Sequence, residues 1–191
     1  MPSFTKRAIV ESFLHIAAKK PLDKITVRDI VDDCGVNRNT FYYYFQDVYA
    51  VLEEICAAAF VHVPDGLALD QTLLFCFDVF LSFSKENPRV SRSLVISQGY
   101  EGLERYFAPE LDRLISACLL RGRDIEPDAA FLKTVTAFVR HAYFGAVLTW
   151  MRDERNADAG QIKAALSRIL RVVERGVLPG DGEEGVQEVT R

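Results

Sequence analysis

The chain has 191 residues, of which 49% are apolar and 26% charged, and its formal net charge is −4. That is enough apolar material for an ordinary globular core, and the acidic balance excludes a uniformly basic nucleic-acid coat. Residues 1–50 hold seven Lys/Arg against six Asp/Glu and the remainder sixteen against twenty-one, leaving the opening at +1 and the rest at −5. Any affinity of that opening for DNA must therefore come from the placement of individual cations.

Residues 4–19 read as an amphipathic helix capped by Ser3 or Thr5, with Ile9, Phe13, Ile16 and Ala17 as its inner stripe. Pro21 ends it. Leu22 and Ile25 sit in a connector and are expected under the next two helices. Thr26, with Asp29 three residues on, is a helix N-cap signal. A short helix over Val27–Cys34 would place Val27, Ile30 and Val31 inward, with Gly35 supplying the left-handed exit. Val36 fills the corner, and Asn37 caps a second short helix through Tyr44. Two short helices joined by a glycine turn predict a helix-turn-helix, whose second helix enters the DNA major groove. That helix offers Arg, Asn, Thr and Tyr, which are groove-reading and phosphate-binding types.

Asp47 is the next cap, starting a helix from Val48 to about His62, and Pro64-Asp65-Gly66 breaks the chain. Asp70 is expected to cap a helix that is apolar all round and central to a bundle, ended by Asn87-Pro88. A short helix over about 89–98 leads to a loose corner at Gly99 and Gly102, then to a helix over 103–120 with Pro109 near its first turn. Residues 128–152 and 161–176 form two long apolar helices, and the glycine-rich acidic tail from Pro179 is expected to be disordered. The pattern is all-α with about nine helices. It divides into a three-helix helix-turn-helix domain over 1–47, a C-terminal helical bundle over 48–178, and a tail over 179–191.

Cys34, Cys56, Cys76 and Cys118 have neither C-x-x-C spacing nor a nearby His, so reduced thiols and no metal site are expected. Lys6, Arg7 and Glu11 interrupt the opening and exclude a signal peptide, and no run reaches the roughly 18 residues of a membrane span. A cytoplasmic protein without cofactor is expected. No catalytic constellation is present, and the reading is of a non-enzyme.

The motifs I-T-V-R-D-I (25–30), C-G-V-N-R-N-T-F-Y-Y-Y-F (34–45) and the acidic cap at Asp47 resemble the TetR family of bacterial regulators over roughly residues 5–55. The run from Asn37 to Tyr49 looks particularly like a subgroup that includes dihydroxyacetone-kinase-type activators, which leaves repressor versus activator open. The resemblance implies a homodimer on a palindromic double-stranded DNA operator, reset by a small effector. The alternative is a co-activator or adaptor of the same fold working through a protein partner or bound metabolite. Val48 departs from the family, which often carries a phosphate-binding Lys there; losing that contact lowers affinity and salt sensitivity. Lys6, Arg7 or Lys24 are the candidates to replace it.

Arg28 and Arg38 are base-contact candidates, since guanidinium pairs with guanine O6/N7. Asn39 either reads adenine or is a polar first-turn residue. Thr40 and Tyr42 resemble the family's phosphate contacts, and Tyr43 packs on sugar or a thymine methyl. Tyr44 either binds phosphate or packs on the first helix. Asn37 stands at the start of the recognition helix, and Thr26 is a cap first and a phosphate neighbour second. Phe41 and Phe45 belong to the core.

By the same resemblance an effector cavity lies among the middle helices. Its lining candidates are Phe75, Val79, Phe83, Tyr100 and Tyr106, with Phe107, His141, Phe144 and Trp150. Each is a core residue in the alternative reading, and His141 either anchors a polar ligand group or is a hydrogen-bonded core histidine. The two last long helices are implied as the dimer interface.

Overall fold

A computed structural model describes residues 4–60, 62–97, 99–121, 128–152 and 158–176. Ser3 and the tail from Pro179, on which two of these expectations fall, lie outside the described residues. Among the described residues the chain is all-α. Nine helices run in order: α1 (Phe4–Ala17), α2 (Val27–Cys34), α3 (Arg38–Tyr44), α4 (Val48–Phe60), α5 (Leu69–Glu86), α6 (Pro88–Ser97), α7 (Gly99–Leu120), α8 (Ala129–Arg152) and α9 (Ala159–Gly176). A 3-10 turn over Leu22–Lys24 joins α1 to α2.

The first three helices close on one small core. Ile9, Phe13, Ile30 and Phe41 are essentially inaccessible, and Leu22, Ile25, Val31 and Phe45 surround them. Burial of each such side chain contributes about 1.5–3 kcal/mol. Local chemistry sets the helix ends. The Thr26 N–H donates to Asp29 Oδ2 at 2.8 Å and the Asp29 N–H donates to Thr26 Oγ1 at 3.2 Å, a reciprocal capping box. Gly35 leaves α2 at φ 72, a left-handed conformation that costs glycine nothing. The Thr40 N–H donates to Asn37 Oδ1 at 2.8 Å, capping α3, and the Ala50 N–H donates to Asp47 Oδ1 at 2.9 Å, capping α4.

α4 belongs to both halves of the molecule. Val48 and Val51 at its start are buried beside the first three helices, while Cys56 and Phe60 at its end pack toward α7. Phe60 meets Phe107 edge-on, with ring centroids 5.7 Å apart. The remaining helices stack mainly as α5 on α9 and α7 on α8.

Four expectations are corrected. α1 ends at Ala17, where the Lys19 and Lys20 N–H groups both reach the Ile16 carbonyl and tighten the exit before Pro21. Gly99 and Gly102 begin α7 instead of forming a loose corner, because Gly102, Leu103, Tyr106 and Phe107 all bury on one stripe. That burial overrides a helical glycine's cost of about 1 kcal/mol, and it moves Pro109 from the first turn to the helix interior. α5 is not apolar all round: Phe75, Val79 and Phe83 are only half-buried and Asp78 and Ser82 are exposed. Asp70 is not a cap either. It is buried one residue into α5, accepting from Ser167 Oγ at 2.7 Å and Arg171 Nε at 2.8 Å, both on α9. The start of α5 is capped from α9 as well, by Glu174 Oε1 accepting the Leu69 N–H at 3.1 Å.

Candidate nucleic-acid interface

α3 is seven residues long and turns only Phe41 fully inward. Phe41 packs on Phe45 four residues on, with ring centroids 5.9 Å apart, so one face of the helix is anchored and the opposite face is free. Arg38 and Asn39 stand exposed at its N-terminal end, Tyr42 is 56% exposed and Tyr43 82%. Phe41 meets Tyr42 edge-on and Tyr43 meets Tyr44 at 4.9 Å, contacts that orient the exposed rings. Tyr44 is half-buried against the core.

Several predicted contacts have other occupations. Asn37 Oδ1 also accepts from Thr40 Oγ1 at 3.0 Å, so the cap consumes both side chains in part. Thr26 is engaged by Asp29 through its hydroxyl and its N–H, and Lys20 Nζ donates to the same carboxylate at 2.7 Å. Hydrogen bonds from Lys20 and Thr26 hold the Asp29 carboxyl at about 2, so a negative charge already occupies the start of α2. Arg28 lies along α2 against Asp32 at 3.4 Å, an exposed pair that a phosphate or base readily displaces.

Val48 is buried, 9% exposed, and helps seat α4. The three cations named as replacements for a lysine there are themselves paired: Lys6 with Glu54 at 2.5 Å, Arg7 with Glu11 at 3.4 Å and Lys24 with Asp23 at 3.3 Å. Lys6 also lies 5.8 Å from the centre of the Phe45 ring. Its role is to tie α1 to α4 beside the end of α3, a contact that spans 48 positions and leaves no local signal in the sequence.

A helix-turn-helix with a capped, exposed, Arg-Asn-Tyr recognition helix is thus formed within the first 60 residues. Residues 9–55 match the family "Bacterial regulatory proteins, tetR family". The helix-turn-helix part of the chain is thus a tetR-type domain. Over 90% of its length it is 23% identical to a Bacillus subtilis (strain 168) protein described as an uncharacterized HTH-type transcriptional regulator, YerO. It spans 65% of the length of that relative. Among solved structures, the dihydroxyacetone kinase operon activator DhaS superposes with a TM-score of 0.59 at 16% identity, over 88% of this chain and 95% of that one. A TetR transcriptional regulator from Streptococcus agalactiae 2603V superposes equally, with a TM-score of 0.59 at 19% identity, over 87% and 93% of the two chains. These likenesses show a shared fold that runs through the C-terminal helices.

The nine residues expected to line one effector chamber are distributed over four places. Val79, Phe83 and Phe107 line an apolar cavity closed by Cys56, Phe60 and Phe80, between α4, α5 and α7, with about 20 Å³ of free space. Phe75 lies with Val79 and Phe83 along an outer groove rimmed by Asp78 and Glu86. Tyr100, His141 and Phe144 cluster where α7 meets α8: the Tyr100 hydroxyl is hydrogen-bonded to His141 Nδ1, and Glu104 approaches the same nitrogen at 3.1 Å. Burial and the Glu104 hydrogen bond push the Tyr100 phenol up to about 12, keeping it a neutral donor. Trp150 packs edge-on against Phe77 in the core, and Tyr106 is buried along α7. His141 is exposed, so it is neither a core histidine nor enclosed in a chamber. Arg140 beside it is the residue sequence reasoning missed. It is 9% exposed and ion-paired with Glu104 and Asp112, locking α8 to α7.

Proposed function

We propose that the protein is a cytoplasmic DNA-binding transcriptional regulator that grips a palindromic operator as a homodimer and is reset by a small apolar effector. The observation that carries this is the exposed Arg38-Asn39-Tyr42-Tyr43 face of α3, fixed in place by the buried Phe41 within a tetR-family domain. On this reading Arg38 reads guanine, Asn39 reads adenine, Tyr42 and Thr40 hold phosphates, and Tyr43 packs on sugar or a thymine methyl. Arg28, Thr26, Asn37 and Tyr44 are flanking contacts of smaller weight, because each already has an intramolecular partner or packing role.

Dimerisation is supported by apolar surface on the last two helices. Phe138 on α8 is 64% exposed, and Ile169 and Val172 on α9 are 57% and 70% exposed. Large apolar side chains left exposed favour a partner surface, and a two-fold pair places two recognition helices on half-sites one DNA turn apart. The effector reading rests on the apolar cavity against α4. A ligand that wedges Phe83 and Phe107 apart pushes on Phe60, and α4 carries that displacement to Val48 beside the recognition helix.

A second reading, an adaptor of the same fold, is favoured by the pairing of Lys6, Arg7, Lys20, Lys24 and Arg28 with acids, which leaves few unpaired cations for phosphate. Titration of operator DNA with wild type, Arg38→Ala and Tyr42→Ala separates the two. The regulator reading predicts a loss of about tenfold or more for Arg38→Ala; unchanged affinity in both variants would sink the site assignment.

A further inference from the structure

The C-terminal end of α1 and the outer face of α6 enclose a recess of about 620 Å³, open to solvent. A volume of that size lies within the range of small-molecule sites. Its walls carry Lys19, Lys20, Arg89 and Arg92, with Asp23 as the one acid of the lining. In a chain of net charge −4, four cations on one concave surface are an unusual local excess. They come from both halves of the molecule, Lys19 and Lys20 following α1 and Arg89 and Arg92 on α6.

The polar contacts of the recess are those of a joint between the two halves. The Leu22 N–H donates to Ser93 Oγ at 3.1 Å, and Arg89 Nη1 donates to the Ala18 carbonyl at 2.8 Å. Lys20 is shared with Asp29 at 2.7 Å outside the recess, and Asp23 is paired with Lys24 at 3.3 Å. Lys19 Nζ meets His15 Nε2 at 2.6 Å, and Asp33 Oδ1 lies 3.0 Å from the other nitrogen of that ring, so no acid pairs with Lys19 directly. Arg92 is exposed and forms no ion pair among the described residues. Arg89 and Arg92 are three apart on one helix and so present neighbouring like charges. The recess therefore holds positive charge that its own lining does not neutralise.

We propose that this recess is a binding site for a small anion with two or more negative charges, of the phosphate or polycarboxylate class. The anion lies between the Arg89 and Arg92 guanidinium groups, which suit bidentate oxyanion pairing, and the Lys19 ammonium. It would bridge the DNA-reading half to α6 at the joint that the Leu22–Ser93 hydrogen bond already marks. Duplex DNA is the less favoured occupant, because the cations line a concavity. The recess also sits about 18 Å along α1 from Lys6, which packs beside the end of the recognition helix. The site is separate from the apolar cavity and from the operator surface, so it stands or falls independently of the proposed function.

The test is isothermal titration of the full chain with sodium pyrophosphate and with sodium citrate at constant ionic strength, for wild type, Arg92→Gln and Lys19→Gln. Both positions are exposed, and matching far-UV circular dichroism and melting temperatures establish that the variants fold. Saturable wild-type binding with Kd below about 1 mM, weakened about tenfold or more in either variant, supports the site. Tighter binding of pyrophosphate or of citrate then assigns the phosphate or the carboxylate class. No saturable heat with either anion, or equal binding in all three proteins, overturns it. A variant that lowers DNA affinity while wild type binds neither anion would also overturn it, by making the recess a DNA-backbone contact.

Discussion

The helix-turn-helix half and the C-terminal half solve the same packing problem over different distances. In the first half the starts of α2, α3 and α4 are each fixed by a residue within three positions of the group it caps: Thr26 with Asp29, Asn37 with Thr40, Asp47 with Ala50. Its buried side chains converge on one closed core, and α3 presents exposed polar and aromatic side chains away from it. In the second half the holding contacts join residues far apart in sequence, such as Asp70 to Ser167 and Arg171, and Arg140 to Glu104 and Asp112. Its outer helices leave Phe138, Ile169 and Val172 uncovered. The first half closes on a core of its own; the second leaves apolar side chains at its surface and a small apolar cavity inside.

The largest effect expected from this contrast is Phe41→Ala. Phe41 has no accessible surface, so truncation leaves a cavity at the centre of the small core and costs about 3–5 kcal/mol in a urea unfolding experiment. The matching change in the other half, Phe138→Asp, should leave the fold of one chain intact while weakening self-association about a hundredfold, read by sedimentation equilibrium. A variant that unfolds, or a dimer that persists unchanged, would remove the distinction between a closed core and an interface.

Next in size is Asp70→Asn. Burial alone would raise this carboxyl, but the hydrogen bonds from Arg171 and Ser167 outweigh it and hold it below its ordinary value. Loss of the charge weakens the clamp of α9 on α5 by about 1–2 kcal/mol, measured by the denaturant midpoint. The smallest is Asp29→Asn, which removes the charge that Lys20 and Thr26 hold in the α2 capping box and costs about 1 kcal/mol. Because the Asp29 carboxyl is held at about 2 instead of 3.8, its contribution is present above its unfolded value and lost as pH falls from about 4 to 2. The wild type should therefore converge on the variant's stability across that interval, as followed by melting temperature.

The same contrast explains what could be read from the chain. Caps, the Gly35 exit and the inward Phe41 and Phe45 depend on neighbours three or four residues away, so a linear pattern contains them. Gly99 and Gly102 misled because their helix is set by the burial of Leu103 and Tyr106, a tertiary effect that outweighs glycine propensity. Asp70 looked like a cap because its true partners lie nearly a hundred residues later. The candidate effector residues are mostly aromatic, and packing sends them to a cavity, a groove, a core contact and a polar cluster. The joint between Leu22 and Ser93 has no signal at all along the chain.

The central claim is that α3 reads DNA as one half of a symmetric pair. Selection of duplexes from a random-sequence pool by the purified protein, followed by titration of the enriched duplex at two salt concentrations, tests it most directly. The account predicts a two-fold symmetric sequence with half-sites about one DNA turn, or a multiple of it, apart. It also predicts affinity that falls steeply with salt and drops in Arg38→Ala. Failure to enrich any sequence, or an enriched duplex bound equally well by Arg38→Ala, would contradict it.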